Sequence, residues 1–318
     1  MATTAVQVGK GSGVLKSKSS SDDRVMRLFI LVIGGYLVIA LALPLYAMFS
    51  KSVFNSDGSF VGLSNYFSYF QTPALVYSIK NSLFVGIITT LITVTIAFIL
   101  AYGFTRSRMR GKPLFKTIAM IPILVPSLLP GIALIYLFGR QGVINWALFG
   151  NEIYGPIGII ISEVFFPLPH ALIIIITGLS IADARLYEAA TALRASRIRI
   201  FFTVTLPGVR YGLISAAFVV FTLAVTDFGA PKVIGGDFNV LATDIYKQVI
   251  GQQNFEMGAV VSVVLLIPAA LAFFVDRLVQ KKQVALLSAR AVALEPKPDR
   301  RFDNIMLTYA IIVSIFIL

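Results

Sequence analysis

Residues 183–207, DARLYEAATALRASRIRIFFTVTLP, form the only long polar stretch that lies between two strongly apolar runs and also carries a helical pattern. Its apolar residues recur at the i, i+3, i+4 and i+7 positions of one helix face: Leu186, Ala189, Ala190 and Leu193. The same spacing returns further on, in Ile198, Phe201, Phe202 and Thr205. The pattern predicts two short amphipathic helices at a membrane surface.

Polar residues and a proline mark the ends of these two helices. Asp183 or Ser180 is suited to cap the first helix and Ser196 the second, because an oxygen acceptor there binds amides that lack a partner within the helix. Pro207 is predicted to end the second helix, since proline disfavours helical geometry at the preceding residue. Three arginines are expected to face outward: Arg194, Arg197 and Arg199.

The composition indicates a membrane protein. The 318 residues are 57% hydrophobic and only 13% charged, whereas soluble domains carry about 25% charged residues, so most of the surface is expected to face lipid. A net charge of +12 is also found among proteins that bind nucleic acid, but the placement of the charges favours a membrane and no nucleic-acid partner. The absence of cysteine excludes disulfides, thiol nucleophiles and cysteine metal sites. Residues 1–22, which are polar and basic, are predicted to be a disordered cytoplasmic tail.

Six runs of roughly twenty apolar residues are each long enough to cross about 30 Å of hydrocarbon. They lie near 28–49, 82–104, 117–138, 156–179, 212–230 and 257–279. A seventh run, 305–318, is expected to be the start of a further transmembrane helix in a longer parent protein. The predicted fold class is therefore an all-α, polytopic transmembrane helical bundle.

The distribution of lysine and arginine predicts the orientation, because these residues are enriched in cytoplasmic loops. With the N-terminus in the cytoplasm, 22 of the 27 basic residues lie on that side. The five on the outer side are Lys51, Lys80, Arg140, Lys232 and Lys247. We therefore expect the N-terminus and residues 180–210 to be cytoplasmic.

The stretch at 183–207 resembles the EAA loop of bacterial ABC importer permeases, in which Glu-Ala-Ala is followed after three residues by Gly and later by Leu-Pro. The matching residues are Glu188, Ala189, Ala190, Leu206 and Pro207. Arg194, followed by Ala195, stands where the family has glycine. The resemblance implies that these residues couple the permease to an ATPase. As a pattern of apolar and basic residues alone, the stretch is equally typical of an amphipathic helix lying on lipid.

Two further stretches, TDFGAPKVIGG (226–236) and NVLATDIYKQVIGQQNFEMGA (239–259), resemble permease subunits for 2-aminoethylphosphonate uptake. That group belongs to fused permeases that include ferric-iron importers. The resemblance implies a type I ABC importer permease fold. Residues 23–282 would form the permease domain of six helices with the coupling loop at 180–210, 283–304 would form a cytoplasmic linker, and 305–318 would begin a second half.

The same resemblance implies the partners and the location: a cytoplasmic dimer of ABC ATPase subunits, a periplasmic substrate-binding protein, and the lipid of the bacterial inner membrane. The chain has no GxxxxGK[ST] phosphate loop, so ATP hydrolysis is expected in the partner and no cofactor in the chain. No catalytic or metal site is predicted. Import of 2-aminoethylphosphonate by alternating access is the expected function. Import of ferric iron or another small solute, secondary transport and a membrane scaffold without transport activity stay open.

Three ionisable residues are candidates for a substrate pathway: Glu163, His170 and Asp227. An ionisable group inside an apolar span costs several kcal/mol unless it is paired or hydrated. Asp227 has a structural alternative, in which it caps or bends the helix end, and His170 has one as a hydrogen-bonded residue of the bundle. In a secondary transporter, Glu163 and Asp227 would instead be suited to ion coupling.

Three prolines recur every four residues in the third apolar run, and this spacing predicts that they share one helix face: Pro122, Pro126 and Pro130. Each removes a backbone donor and bends a helix. Carbonyl groups freed in this way at membrane depth must be buried or must face water. Such a face would either line the pathway or pack, kinked, against neighbouring helices.

Overall fold

A computed structural model describes residues 21–285 and 294–318 and contains fourteen α-helices and no β-strand within those ranges. The helices are α1 Ser21–Val53, α2 Ser64–Gln71, α3 Pro73–Arg106, α4 Lys112–Met120, α5 Leu128–Phe138, α6 Pro156–Phe165, α7 Leu168–Ser180, α8 Ala184–Ala192, α9 Arg197–Ile200, α10 Leu206–Thr226, α11 Gly229–Ile234, α12 Leu241–Tyr246, α13 Phe255–Ala285 and α14 Arg300–Ile317. The predicted tail lies outside the described residues except for its last two, which begin α1, and so does 286–293 of the predicted linker. The all-α fold class is confirmed.

The described residues include four helical stretches long and apolar enough to cross a membrane. These are Asp22–Val53, Pro73–Arg106, Arg197–Thr226 and Phe255–Lys281. Two pairs of shorter helices, α4 with α5 and α6 with α7, pass the same test if each bent pair counts as one span, which raises the number to six. The spans expected near 117–138 and 156–179 are therefore broken helices.

The predicted proline face of the third span is wrong. α4 and α5 meet at 102°, separated by a 3-10 turn at Ile121–Leu124 and a break after it. Val125 has extended backbone geometry, with φ −103° and ψ 128°, which is the conformation that the following Pro126 favours. Pro122 lies in the 3-10 turn and Pro130 lies inside α5, so the three prolines do not share a helix face.

Pro207 does not end a helix, which corrects the second proline prediction. The chain is helical without interruption from Arg197 to Thr226. A π-helical turn at Phe201–Thr205 precedes Pro207, and the Leu206 amide donates to the carbonyl of Phe201, five residues earlier. A π turn is wider than an α turn. It allows Pro207, which has no amide proton, to sit in the first turn of α10, where no donor is required.

The chain divides into two compact units, residues 1–48 and 49–318. In the first, the described part of α1 is apolar around its whole circumference. None of the 18 residues that form its most apolar stretch is buried. In the second, α10 packs against α3, α7 and α13. α7 and α10 approach closely at two glycines, since a Cβ atom at Gly212 would lie 3.6 Å from the Cα atom of Gly178. This packing fixes the two helices that flank residues 181–205.

α14 begins at Arg300, five residues before the predicted start at 305, because Asp299 caps it by accepting a hydrogen bond from the Phe302 amide. Ala310 and Val313 of α14 are buried in the same apolar cluster as Ala97 of α3. The first turn of α14 is charged, and the hydropathy of the sequence therefore did not reveal it.

Candidate functional site

Residues 180–210, here called the coupling segment, contain the first predicted short helix as α8, whereas the second predicted helix starts as α9 but is not short, because it continues without interruption to Thr226. Asp183 caps α8: its Oδ1 accepts a hydrogen bond of 3.1 Å from the Arg185 amide. This resolves the choice between Asp183 and Ser180. Ser196 caps α9 in the same way, since its hydroxyl accepts from the Arg199 amide at 3.3 Å. Both N-caps of the sequence analysis are confirmed.

Arg194 has the backbone conformation that glycine normally provides at the end of a helix. Its φ is 54°, in the left-handed region. The Ala195 amide donates to the carbonyl of Ala190 at 3.0 Å, and the Arg194 amide donates to that of Thr191 at 2.9 Å. These two bonds form the Schellman motif that ends many helices. The chain therefore keeps the geometry of a glycine with an arginine, at a cost of about 1–2 kcal/mol in backbone strain.

Tyr187 attaches α8 to the helical bundle. Its Oη atom donates to Oγ1 of Thr205, in the π-helical turn, at 3.1 Å. The same Oη accepts from Nη2 of Arg106 at 3.3 Å, and the Arg106 guanidinium lies 5.2 Å from the centre of the Tyr187 ring. Arg106 also donates to the carbonyl of Leu179 at 2.8 Å, at the end of α7. One tyrosine and one arginine thus connect α8 to α3, α7 and the π-helical turn.

The opposite side of α8 is exposed. Leu186 and Leu193 of the predicted apolar face are 59% and 82% exposed, and Glu188 and Ala189 beside them are also exposed. The face therefore exists in the predicted register but points away from the bundle. Exposed apolar side chains with adjacent charges are typical of a surface that binds another protein.

The remaining residues of the segment extend this surface or support it. Ile198 and Phe202 are exposed, as are Arg194, Arg197, Arg199 and Pro207, while Ala190, Ala195 and Leu206 are half-buried. Arg197 forms an ion pair with Asp299. The hydrogen bond that Arg197 donates in this pair, together with the one from the Phe302 amide, lowers the pKa of the Asp299 carboxyl. This contact was not predictable from local sequence patterns, because its partners are 102 residues apart.

The structure brings two of the three pathway candidates near each other. Glu163 is buried in α6, and Asp227 is close enough for the charges of the two carboxylates to interact. Asp227 also caps α11, since its Oδ2 accepts a hydrogen bond of 2.9 Å from the Ala230 amide. His170 lies beyond the 50° bend between α6 and α7, with its ring 5.8 Å from that of Phe166.

Residues 93–284 match the family described as binding-protein-dependent transport system inner membrane component. The chain is 31% identical over 216 residues to the ferric transport system permease protein FbpB of Actinobacillus pleuropneumoniae, covering 64% of this chain and 31% of the relative. It is 28% identical over 274 residues to a ferric permease of Haemophilus influenzae described as putative, covering 82% and 42%. A spermidine/putrescine permease homologue of Mycoplasma genitalium is 30% identical over 178 residues, covering 56% and 59%.

The chain spans about a third to two fifths of the length of the two ferric permease relatives. A solved structure of a bacterial ABC transporter involved in alginate import has the same fold, with a TM-score of 0.62 at 16% identity over 84% of this chain and 97% of that one. The family match covers well over half of the chain. The protein therefore belongs to the binding-protein-dependent transport system inner membrane components and has the fold of an ABC importer permease.

Proposed function

We propose that this chain forms a permease half of an ATP-driven importer that receives substrate from a periplasmic binding protein. The observation that supports this most directly is the coupling segment. Its α8 is hydrogen-bonded to the bundle through Tyr187 and exposes Leu186 and Glu188, as well as Leu193 directly after the helix. In the proposed complex, a dimer of cytoplasmic ATPase subunits contacts this exposed face.

A movement of α8 caused by the ATPase subunits would be transmitted to the helical bundle through the contacts of Tyr187. A displacement of α8 acts through Tyr187 on Thr205, which belongs to the uninterrupted helix Arg197–Thr226. At 1.5 Å per residue, this helix is about 45 Å long and extends to the break at Asp227. ATP shifts the balance between inward-open and outward-open states only by its different affinity for the two. We propose that the coupling segment transmits this difference in ATP affinity from the ATPase subunits to the helical bundle.

The proposed substrate is 2-aminoethylphosphonate, on the basis of the sequence resemblance at 226–236 and 239–259. Ferric iron or another small solute is the alternative, and ferric and spermidine/putrescine permeases are among the relatives. Glu163, His170 and Asp227 are the proposed pathway residues. The proposed orientation has the N-terminus in the cytoplasm of a bacterial cell, within the inner membrane.

The test is a reconstitution of the full-length protein with the ATPase subunits and the binding protein of its own organism. We expect ATPase activity that rises several-fold when substrate-loaded binding protein is added. Glu188→Ala should reduce this stimulation, while Glu295→Ala, which changes an exposed glutamate on the same predicted side of the membrane but outside the coupling segment, should retain it. A fully assembled complex in which neither variant alters the stimulation would contradict the assigned role of the segment, and failure to assemble with an ATPase would contradict the function.

A further inference from the structure

Four buried polar side chains on α3 and α6 have oxygen atoms without a hydrogen-bond partner in the described part of the chain: Thr89, Thr93, Ser162 and Glu163. None is more than 3% exposed. Thr89 and Thr93 are one turn apart on α3, Ser162 and Glu163 are consecutive on α6, and the two helices pack together. Thr89 is close enough to the Glu163 carboxyl for the two side chains to interact.

The two threonines differ from other threonines of the same helix. Thr90, Thr95 and Thr105 each donate to the carbonyl four residues earlier, at 2.6–2.8 Å. The Oγ1 atoms of Thr89 and Thr93 do not, although both side chains are completely buried. Their hydroxyls are therefore available to a group inside the bundle.

Leaving such groups unpaired is costly. A buried hydroxyl without a partner costs about 1–3 kcal/mol, and an ionised carboxylate in a span costs several kcal/mol unless it is paired or hydrated. An ionisable residue in such a position is by default a candidate functional residue. A ligand that supplies a positive charge and several donors would offset the cost for Glu163 and both threonines.

Three interrupted helices meet at this cluster. A Cβ atom at Gly131 of α5 would lie 3.5 Å from Oγ of Ser162 and 3.8 Å from the carbonyl oxygen of Ala230, in α11. A Cβ atom at Gly229 would lie 2.5 Å from Oγ of Ser127, just before α5. The breaks after α4, α6 and α10 therefore lie near one another. Transporters commonly bind substrates where discontinuous helices meet inside the membrane.

We infer that Glu163, Thr89 and Thr93 bind the ammonium group of an amine-bearing substrate, with Asp227 at the edge of the site. The inference rests on the proposed function and narrows its substrate class. An ammonium group has three donors, which match one carboxylate and two hydroxyl acceptors.

A metal ion fits this cluster less well. The described residues contain no group of three or more histidine, aspartate, glutamate or cysteine side chains that could hold one. Because Glu163 is buried, the ammonium group reaches it only when the helices packed around α6, which include α3, α5 and α11, move apart.

The test uses the assembled transporter, with its ATPase subunits and binding protein, in proteoliposomes. Amine-bearing probes are 2-aminoethylphosphonate and putrescine; amine-free probes are ethylphosphonate and ferric ion. We expect at least one amine-bearing probe to be imported and to stimulate the ATPase, and Glu163→Gln to reduce that uptake at least tenfold. Co-purification of this variant with the ATPase subunits should stay at the wild-type level.

A threonine pair provides the matched control and covers the case in which Glu163→Gln fails to assemble. Thr93→Val should reduce uptake of the amine several-fold, whereas Thr95→Val, two residues away on the exposed side of the helix, should not. An assembled wild type that imports only amine-free probes, or amine uptake unchanged in Glu163→Gln and Thr93→Val, would overturn the ammonium site and leave the proposed function standing. A wild type that assembles with no ATPase would contradict the proposed function itself.

Discussion

The Oη atom of Tyr187 donates a hydrogen bond of 3.1 Å to Oγ1 of Thr205, which connects the exposed helix α8 to the long helix that ends at Thr226. Thr205 lies in the π-helical turn that precedes Pro207. The contact therefore joins the surface proposed to bind an ATPase to a helix that crosses the bundle. The wider turn at this point allows the helix to continue past Pro207.

Tyr187→Phe should weaken coupling without detaching α8. The phenyl ring keeps the contact with the Arg106 guanidinium, and only the hydrogen bonds of the hydroxyl are lost. One such bond contributes about 1 kcal/mol, or a factor of about five in an equilibrium. We expect substrate-stimulated ATPase activity to fall by about that factor. Tyr211→Phe, which removes a hydroxyl bonded only to the adjacent Arg210 in the described contacts, should have little effect. Equal loss in both variants would contradict the role of Tyr187.

Arg194→Gly should stabilise the protein by about 1 kcal/mol, because glycine adopts a left-handed conformation without steric strain. Arg194→Ala is the matched control: it removes the charged side chain but keeps Cβ, so it should give no gain. Thermal unfolding in detergent measures the difference, expected to be about 2 °C. Substrate-stimulated ATPase activity should stay the same or rise in Arg194→Gly. A large loss of transport with normal membrane insertion would show that the arginine itself makes a contact.

Asp244 should make stability depend on pH. Its carboxyl, in α12, is 5% exposed, and burial raises its pKa, while the Ser78 hydroxyl and Lys247 act in the opposite direction. The folded state therefore binds the proton more tightly than the unfolded state, and stability falls as pH rises from the ordinary value near 4 through the raised pKa.

In Asp244→Asn this dependence should disappear, so the variant should have a higher Tm than the wild type at pH 8, and the gain should shrink towards pH 4. Asp237→Asn, at an exposed position, serves as the control. The quantity to compare is the change in Tm relative to the wild type, measured for both variants from pH 4 to pH 8. A gain in Asp244→Asn that is the same at pH 4 and pH 8 would contradict it.

The orientation is tested by reporter fusions on either side of one helix. Alkaline phosphatase fused after Asp237 should be active and fused after Arg199 should be inactive, because nearly all of the helix Arg197–Thr226 lies between the two positions. Fusions near Asp57 and Glu152 should also be active. The reverse pattern would contradict the charge-based orientation.

The sequence predicts those features of the coupling segment that depend on local chemistry. Asp183 and Ser196 cap their helices because a cap needs only a short polar side chain beside free amides. The helical register of Leu186 and Leu193 is also right. Which way that face points was not predictable, since periodicity shows that one side is apolar but does not identify what covers it.

Contacts distant in sequence were missed for a different reason. Tyr187 meets Arg106 and Thr205 only after α3 and the π-helical turn have packed beside α8. Asp276 lies in an apparently apolar span, yet it accepts hydrogen bonds from Ser215 on α10 and Gln280 on its own helix. Hydropathy averages over such residues. The proline errors arose because a sequence rule treats each proline alone, whereas the break after Ile121–Leu124 and the continuous helix through Pro207 depend on the neighbouring turns.

The most direct measurement of the central claim is disulfide cross-linking between the coupling segment and an ATPase subunit. The chain has no native cysteine, so Ala189→Cys and Ala192→Cys, both at exposed positions of α8, each provide a single reactive site. We predict cross-links from these positions to cysteines on the ATPase subunit in the assembled complex, and none from Ser59→Cys, an exposed position outside the coupling segment. Absence of cross-links from every exposed position of the segment, in a complex that assembles and hydrolyses ATP, would contradict the account.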